Sequence, residues 1–213
     1  QIDNFIAGGG NCSQNVANNN PTPIIQPLQN FTIPASTPFV LEANASDPNG
    51  GILTYTWEQM NNEINFPQPP QPGNAGGPMF RSFFPNASSA RFFPNLNAIL
   101  SGANQTTWEV LPSVDRTLNF AVTVRDNQTI LGGQTNRANM VVNTVAAAGP
   151  FVVTSQNNAA LQWPQGTNQT ITWNVAGTTT NGVNTPFVDI FMSTNGGQTF
   201  PILFASQLPN DGS

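Results

Sequence analysis

The 213-residue sequence contains no histidine, no lysine and one cysteine, and its five basic residues, all arginine, face ten acidic ones. Without an imidazole the chain cannot assemble a Ser-His-Asp triad, a Cys-His pair or an HExxH zinc site from its own residues. A net charge of −5 excludes nucleic-acid binding driven by phosphate neutralisation. No apolar run approaches the roughly 20 residues of a membrane-spanning helix, so no membrane insertion is expected. No basic stretch followed by an apolar one, as in a signal peptide, follows Gln1, and the start is read as a mature end or an excised piece. A lone Cys12 is either a free thiol or half of a bridge to sequence outside this chain.

Charge is scarce as well: 7 % of residues are charged, against about 25 % in an average globular domain. Asn, Gln, Thr and Ser supply the surface polarity, giving a neutral coat of hydrogen-bonding groups. Fifteen Phe and four Trp within 38 % hydrophobic residues are enough for packed cores. Nineteen Pro and 18 Gly leave few twelve-residue windows free of a helix breaker. The expectation is therefore an all-β protein.

Residues 1–21, with their GGGN and NNNP runs, read as a linker or the tail of an upstream domain. Short β-rich segments follow at 24–28, 37–43, 52–59, 106–111, 117–125 and 137–145. Alternation is clearest at Leu118, Phe120, Val122 and Val124, which share one face of a half-buried strand. Leu53, Tyr55 and Trp57 repeat the pattern, with Trp57 inward and Glu58 outward. An insertion at 61–94 divides into a polyproline-like half and a Phe-rich half that covers an edge or face of the sheet. The small residues of AAAGP at 146–150 mark a boundary, so one β-sandwich is expected at 22–146 and a second at 147–213. Strands are expected in the second at 151–154, 168–175 and 187–192, with a type I′ turn at Asn195-Gly196. Sixty-eight residues are few for such a sandwich, so its last strands are expected to lie outside this chain.

Candidate chemistry is limited. Asp47 and Asn49, in the turn after an early strand, and Asp126, at the end of a later one, offer oxygen ligands at one pole and either hold calcium or cap their own turns. Glu42 is a further candidate. Glu58, Glu63, Glu109 and Asp115 are the carboxylates from which a glycosidase pair would have to come, yet no spacing singles out two of them. Arg81, Arg91, Arg116 and Arg125 are expected to tie the insertion to the sandwich. Trp57 and Trp173 alternate inward, which leaves Trp108 and Trp163 as candidates for sugar or partner contact. Seven Asn-x-Ser/Thr sequons begin at Asn11, Asn30, Asn44, Asn86, Asn104, Asn127 and Asn168. The segment STNGGQTF at 193–200 resembles the sialidase Asp-box, a structural turn.

Three stretches carry a wider resemblance: TPFVLEANASDPNGGILTYTWEQMNNE at 37–63, GPMFRSFFPNASSARFFPNLNAIL at 77–100 and TTWEVLPSVDRTLNFAVTVRDN at 106–127. They resemble the region that follows the catalytic domain in secreted reprolysin-like zinc metalloproteases of Bacteroidetes, and 149–205 continues the likeness. The resemblance implies two tandem Ig-like or fibronectin-like sandwiches, the second truncated. It also implies an extracellular or cell-surface parent, often exported by type IX secretion, with zinc held only in a catalytic domain outside this chain. The function it implies is a non-catalytic spacer, stabiliser or adhesive arm. Its partners would be neighbouring domains of the same polypeptide; the alternative is an adhesin module for polysaccharide or a cell-surface protein.

Overall fold

The computed structural model describes residues 18–129, 132–155, 157 and 161–213. Of the linker expected over residues 1–21, residues 1–17, with Cys12 and the Asn11 sequon, lie outside the described residues. Strands dominate the described chain, which is β-rich.

The centre of the first unit is β9 (Arg116–Arg125), paired antiparallel with β10 (Thr135–Val145) on one side and with β5 (Thr54–Gln59) on the other. β2 (Phe31–Pro34) adds parallel to the far edge of β10, giving the order β2-β10-β9-β5. Alternation along β9 sends Leu118, Phe120, Val122 and Val124 to one face, where all four are buried. A ladder of β3 (Phe39–Glu42) and β6 (Ala90–Phe93) covers that face. Phe39 stacks on Phe93 at 5.0 Å, and Phe93 meets Phe120 edge-on at 4.9 Å. Each fully buried Phe contributes about 1.5–3 kcal/mol through area removed from water. These rings hold the two layers together. Trp57 and Tyr55 enter the same core from β5, and the Trp57 indole donates to the Ser89 carbonyl.

The insertion departs from expectation in its first half. A polyproline II segment has no internal hydrogen bonds, but here Asn74 Nδ2 donates to the Pro67 carbonyl and the chain folds back around Arg116. The Arg116 guanidinium donates to the carbonyls of Asn74, Gly76 and Gly77 at 2.8, 3.3 and 2.6 Å. Nη1 and Nη2 of one planar fork make these three bonds and gather the loop into a clamp. The Phe-rich half supplies Phe80, which joins the core, and β6. It also bridges the free edge of β5, where Tyr55 and Asn86 exchange backbone hydrogen bonds. A five-residue helix that the sequence did not suggest, α1 (Leu96–Leu100), follows Pro94; the Asn95 side chain accepts from Ala98 N and caps it. The expected strand at 106–111 is instead a small hairpin of β7 (Gln105–Thr106) and β8 (Glu109–Val110), with Trp108 in its turn.

The second unit contains two short ladders. β11 (Val152–Val153) pairs with β12 (Trp173–Asn174), and β13 (Phe187–Met192) pairs with β14 (Ile202–Pro209). The strand expected over 168–175 is in a ladder only at Trp173–Asn174. Asn210 links the two ladders: its side chain accepts from the Trp173 indole and donates to Thr178 Oγ1 and the Thr185 carbonyl, all within 2.9 Å. The hairpin does not close in a type I′ turn. Nine residues separate β13 from β14, and the positive φ angles fall on Gly196 and Gly197. Asn195 stays out of the left-handed region because its side chain is used in the loop, where it accepts from Thr199 N and donates to Thr199 Oγ1.

The junction between the units is tight. Asp115 accepts from Ala146 N at 2.6 Å, Thr37 Oγ1 accepts from Phe151 N at 2.9 Å, and Ala148 is wholly buried. Gly149 lies so close to the backbone of Ala35 that a Cβ there would overlap its carbonyl, and Gly177 approaches Ala147 in the same way.

Candidate functional site

The turn after β4 (Ala45–Ser46) brings Asp47 and Asn49 to one pole of the first unit, and Asp126 arrives there as the residue following β9. Asp47 works partly on its own turn, accepting from Gly51 N at 2.7 Å and Asn49 N at 3.2 Å. Gly50 takes a φ of +81° to let the chain close. Asp126 is buried and its oxygens are occupied: Oδ1 accepts from the amides of Gln134 and Gln128, and Oδ2 from Asn20 Nδ2. Burial works to raise this carboxyl, but the hydrogen bonds together outweigh it and hold the group below the ordinary aspartate value.

Asn20, which no sequence pattern singles out, links the two carboxylates. Its Nδ2 donates to Asp126 and to the Gly132 carbonyl, and its Oδ1 accepts from Asn49 Nδ2 at 2.7 Å. That orientation turns the Asn49 oxygen onto the Asp47 carboxylate, 2.9 Å from Oδ2 and closer to Oδ1. Swapping the Asn49 amide satisfies Asp47 but sets oxygen against oxygen at Asn20. An amide has one donating and one accepting end, so two amides in series between two carboxylates always leave one junction of facing acceptors. Calcium, the ion expected at this pole, takes oxygen ligands of this kind. The residues that would hold it are Asp47, Asn49 and Asn20, while Asp126 positions Asn20. No group of three or more His, Cys, Asp or Glu side chains with metal-binding geometry occurs among the described residues.

The remaining carboxylates are engaged separately. Glu109 is fully buried, paired with Arg91 at 2.9 Å and accepting from Asn95 N and Nδ2. Arg91 lies between the rings of Phe83 and Phe93, each 4.5 Å away. Glu58 accepts from Ser82, Glu63 caps Gly77 N, Asp115 caps the junction, and Glu42 accepts from Ser89. Arg125 donates to Thr56 and so ties β9 to β5 and leaves the insertion alone; the Arg81 guanidinium lies 5.8 Å from the Phe83 ring.

The two candidate tryptophans are in different places. Trp108 is exposed on the β7–β8 turn, where its carbonyl accepts from Arg81 N. Trp163 lines an aromatic cleft of about 530 Å³ in the second unit. Trp57 and Trp173 are buried.

No family model, curated protein or solved structure matches the chain.

Proposed function

We propose that the chain is a non-catalytic accessory region of a larger secreted or cell-surface bacterial protein, acting as a stiff spacer between neighbouring domains. In this reading the first unit is an Ig-like or fibronectin-like sandwich and the second an incomplete one. The parent is a reprolysin-like zinc metalloprotease whose zinc site lies in other sequence. The observation that carries the spacer role is the junction, where glycine and alanine backbones approach too closely for a side chain and two hydrogen bonds brace the crossing. A linker of that kind transmits orientation, whereas an open Gly-rich one does not. Engagement of Glu58, Glu63, Glu109 and Asp115 in structural hydrogen bonds supports the non-catalytic part.

The test is nitrogen-15 relaxation of residues 18–213 within the full chain. One shared tumbling time for both units is expected; separate, shorter times for residues 22–146 and 150–213 overturn the spacer reading.

The polysaccharide reading draws on the aromatic wall around Trp163, but several hydrogen-bonding positions there are occupied, Asp189 Oδ2 excepted. Asp189 accepts from Gln207 N and Ser206, and Ser193 Oγ from Gly197 N. Sugar hydroxyls need such partners free. Glycan-array binding lost in Trp163→Ala or Trp108→Ala would nevertheless establish it. Calcium at the Asp47–Asn49–Asn20 contact is proposed as a structural ion for the first unit.

A further inference from the structure

An endopeptidase takes its substrate as an extended segment of several residues, so a bond is cut only where burial and backbone hydrogen bonds release the chain around it. The sequence has no lysine and five arginines, and the fold withholds all five. Arg91, Arg116, Arg125 and Arg137 lie within β6, β9 and β10. Arg81 has an exposed side chain, but its N donates to the Trp108 carbonyl, its carbonyl accepts from Arg91 Nη2, and Phe80 before it is in the core. The aromatic residues divide differently. Outside the strands, Phe66, Phe84, Trp163 and Phe200 are each followed by proline, which has no N–H to hold in a protease cleft and whose ring crowds the bond before it. Of the other described aromatics outside strands, Phe80 is buried, Trp108 runs into the wholly buried Glu109, and Phe151 is fixed through Thr37. Phe83 remains. Residues 81–88 are all exposed, Phe84 by 93 %, and residues 82–85 make no backbone hydrogen bond among the described residues. They arch from Arg81 to Asn86, which joins the edge of β5 through one pair of backbone bonds with Tyr55. Releasing that pair lengthens the open stretch to Ser88. The side-chain contacts to be lost are those of Ser82 with Glu58 and of the Phe83 ring with Arg91.

We propose that the Phe83–Phe84 bond is a processing site for an endopeptidase that cuts after aromatic residues, and that the cut chain stays assembled. Water adds across the bond, leaving a carboxylate on Phe83 and an amine on Phe84. Three ladders then join the two pieces: β2 with β10, β3 with β6, and β5 with β9. The Arg116 clamp and the Phe39–Phe93 stack also cross the cut. Hydrolysis therefore severs an arch and leaves both layers of the first unit in place. The inference goes beyond the spacer reading, and relaxation data that overturned the spacer would leave this bond as open as before.

The test is digestion of the native full chain with chymotrypsin and, separately, with trypsin, followed by mass spectrometry. Within the described residues chymotrypsin should cut first between Phe83 and Phe84, and the two pieces should co-elute on size exclusion and separate in urea. Trypsin should leave the native chain whole while cutting the urea-unfolded chain after its arginines. Proteolysis of a folded chain reads the population of the locally open form, so the contrast between the enzymes reports the backbone around each bond. Phe84→Pro should abolish the cut and Phe84→Ala should keep it, with near-ultraviolet circular dichroism reporting the fold of each. A first chymotryptic cut elsewhere in the described residues, no cut under conditions that digest the unfolded chain, or pieces that part without urea overturns the proposal. So does tryptic cleavage of the native chain, or a cut at the same bond in Phe84→Pro.

Discussion

Arg91 Nη2 lies 2.9 Å from Glu109 Oε1 with both side chains withdrawn from water, the glutamate completely. Asn95 donates twice to the other carboxylate oxygen, and Arg91 also donates to the carbonyls of Trp57 and Arg81. The pair therefore joins β5, β6, β8 and the cap of α1 through one network. Burial pushes the Arg91 guanidinium down from its ordinary value while Glu109 draws it back up.

Removing one member strands the other in the core. Glu109→Ala and Arg91→Ala should each lower unfolding stability by about 3–5 kcal/mol. The double variant should lose clearly less than the sum, since neither charge is then left alone. Urea unfolding of the three variants measures this, and strictly additive losses would show that the contact contributes no coupling.

Calcium at Asp47, Asn49 and Asn20 is the next test. Millimolar calcium should raise the melting midpoint of the wild-type chain and EDTA should lower it again, because an ion bound only by the folded state stabilises by mass action. Asp47→Ala should abolish the response. Asp126→Ala should also weaken it, by releasing Asn20. An unchanged midpoint under both conditions would remove a structural calcium ion from this pole.

Acid sensitivity follows from the depressed carboxyl of Asp126. Its folded value lies below its unfolded value of about 3.9, so its hydrogen bonds contribute stability above that unfolded value. The contribution is lost as pH falls through the folded value. Asp189 acts in the same direction through the Gln207 amide and Ser206 hydroxyl. With no histidine to titrate, the melting midpoint should be nearly flat between about pH 5 and 8 and fall below pH 4. Asp126→Asn should flatten the acid limb, and a limb as steep as that of the wild type would remove Asp126 from the account.

Alternation made β9 legible, because Leu118 to Val124 place one residue in two on the core. The same logic could not find β14. Ile202 to Phe204 are consecutive apolar residues, and its bulges destroy the period of two. α1 was invisible because a five-residue helix depends on the Asn95 cap and the adjoining core more than on its own propensity. Asn20 sits in an asparagine run that reads as linker, and only the fold brings it between Asp126 and Asn49. The small residues at 146–150 read as a boundary in the sequence. Their physical role is closer packing than a boundary implies, since smallness serves contact there as well as flexibility.

That packing gives the last prediction. Gly149 has an ordinary extended φ of −122°, so alanine meets no backbone penalty and only the collision with Ala35 opposes it. Overpacking against backbone costs about 1–3 kcal/mol, and the least costly relief is for the junction to open, releasing the hydrogen bond from Phe151 N to Thr37. Gly149→Ala should therefore leave the aromatic core around Phe93 and Phe120 intact while the units begin to tumble separately. Methyl spectra of Val122 and Val142 should stay as in the wild type, and relaxation should split into two correlation times. If Gly149→Ala tumbles as one body, the rigidity comes from elsewhere in the crossing, and Thr37→Val, which deletes the hydrogen bonds of Thr37 Oγ1 to Phe151 N and the Ala35 carbonyl, becomes the variant that locates it.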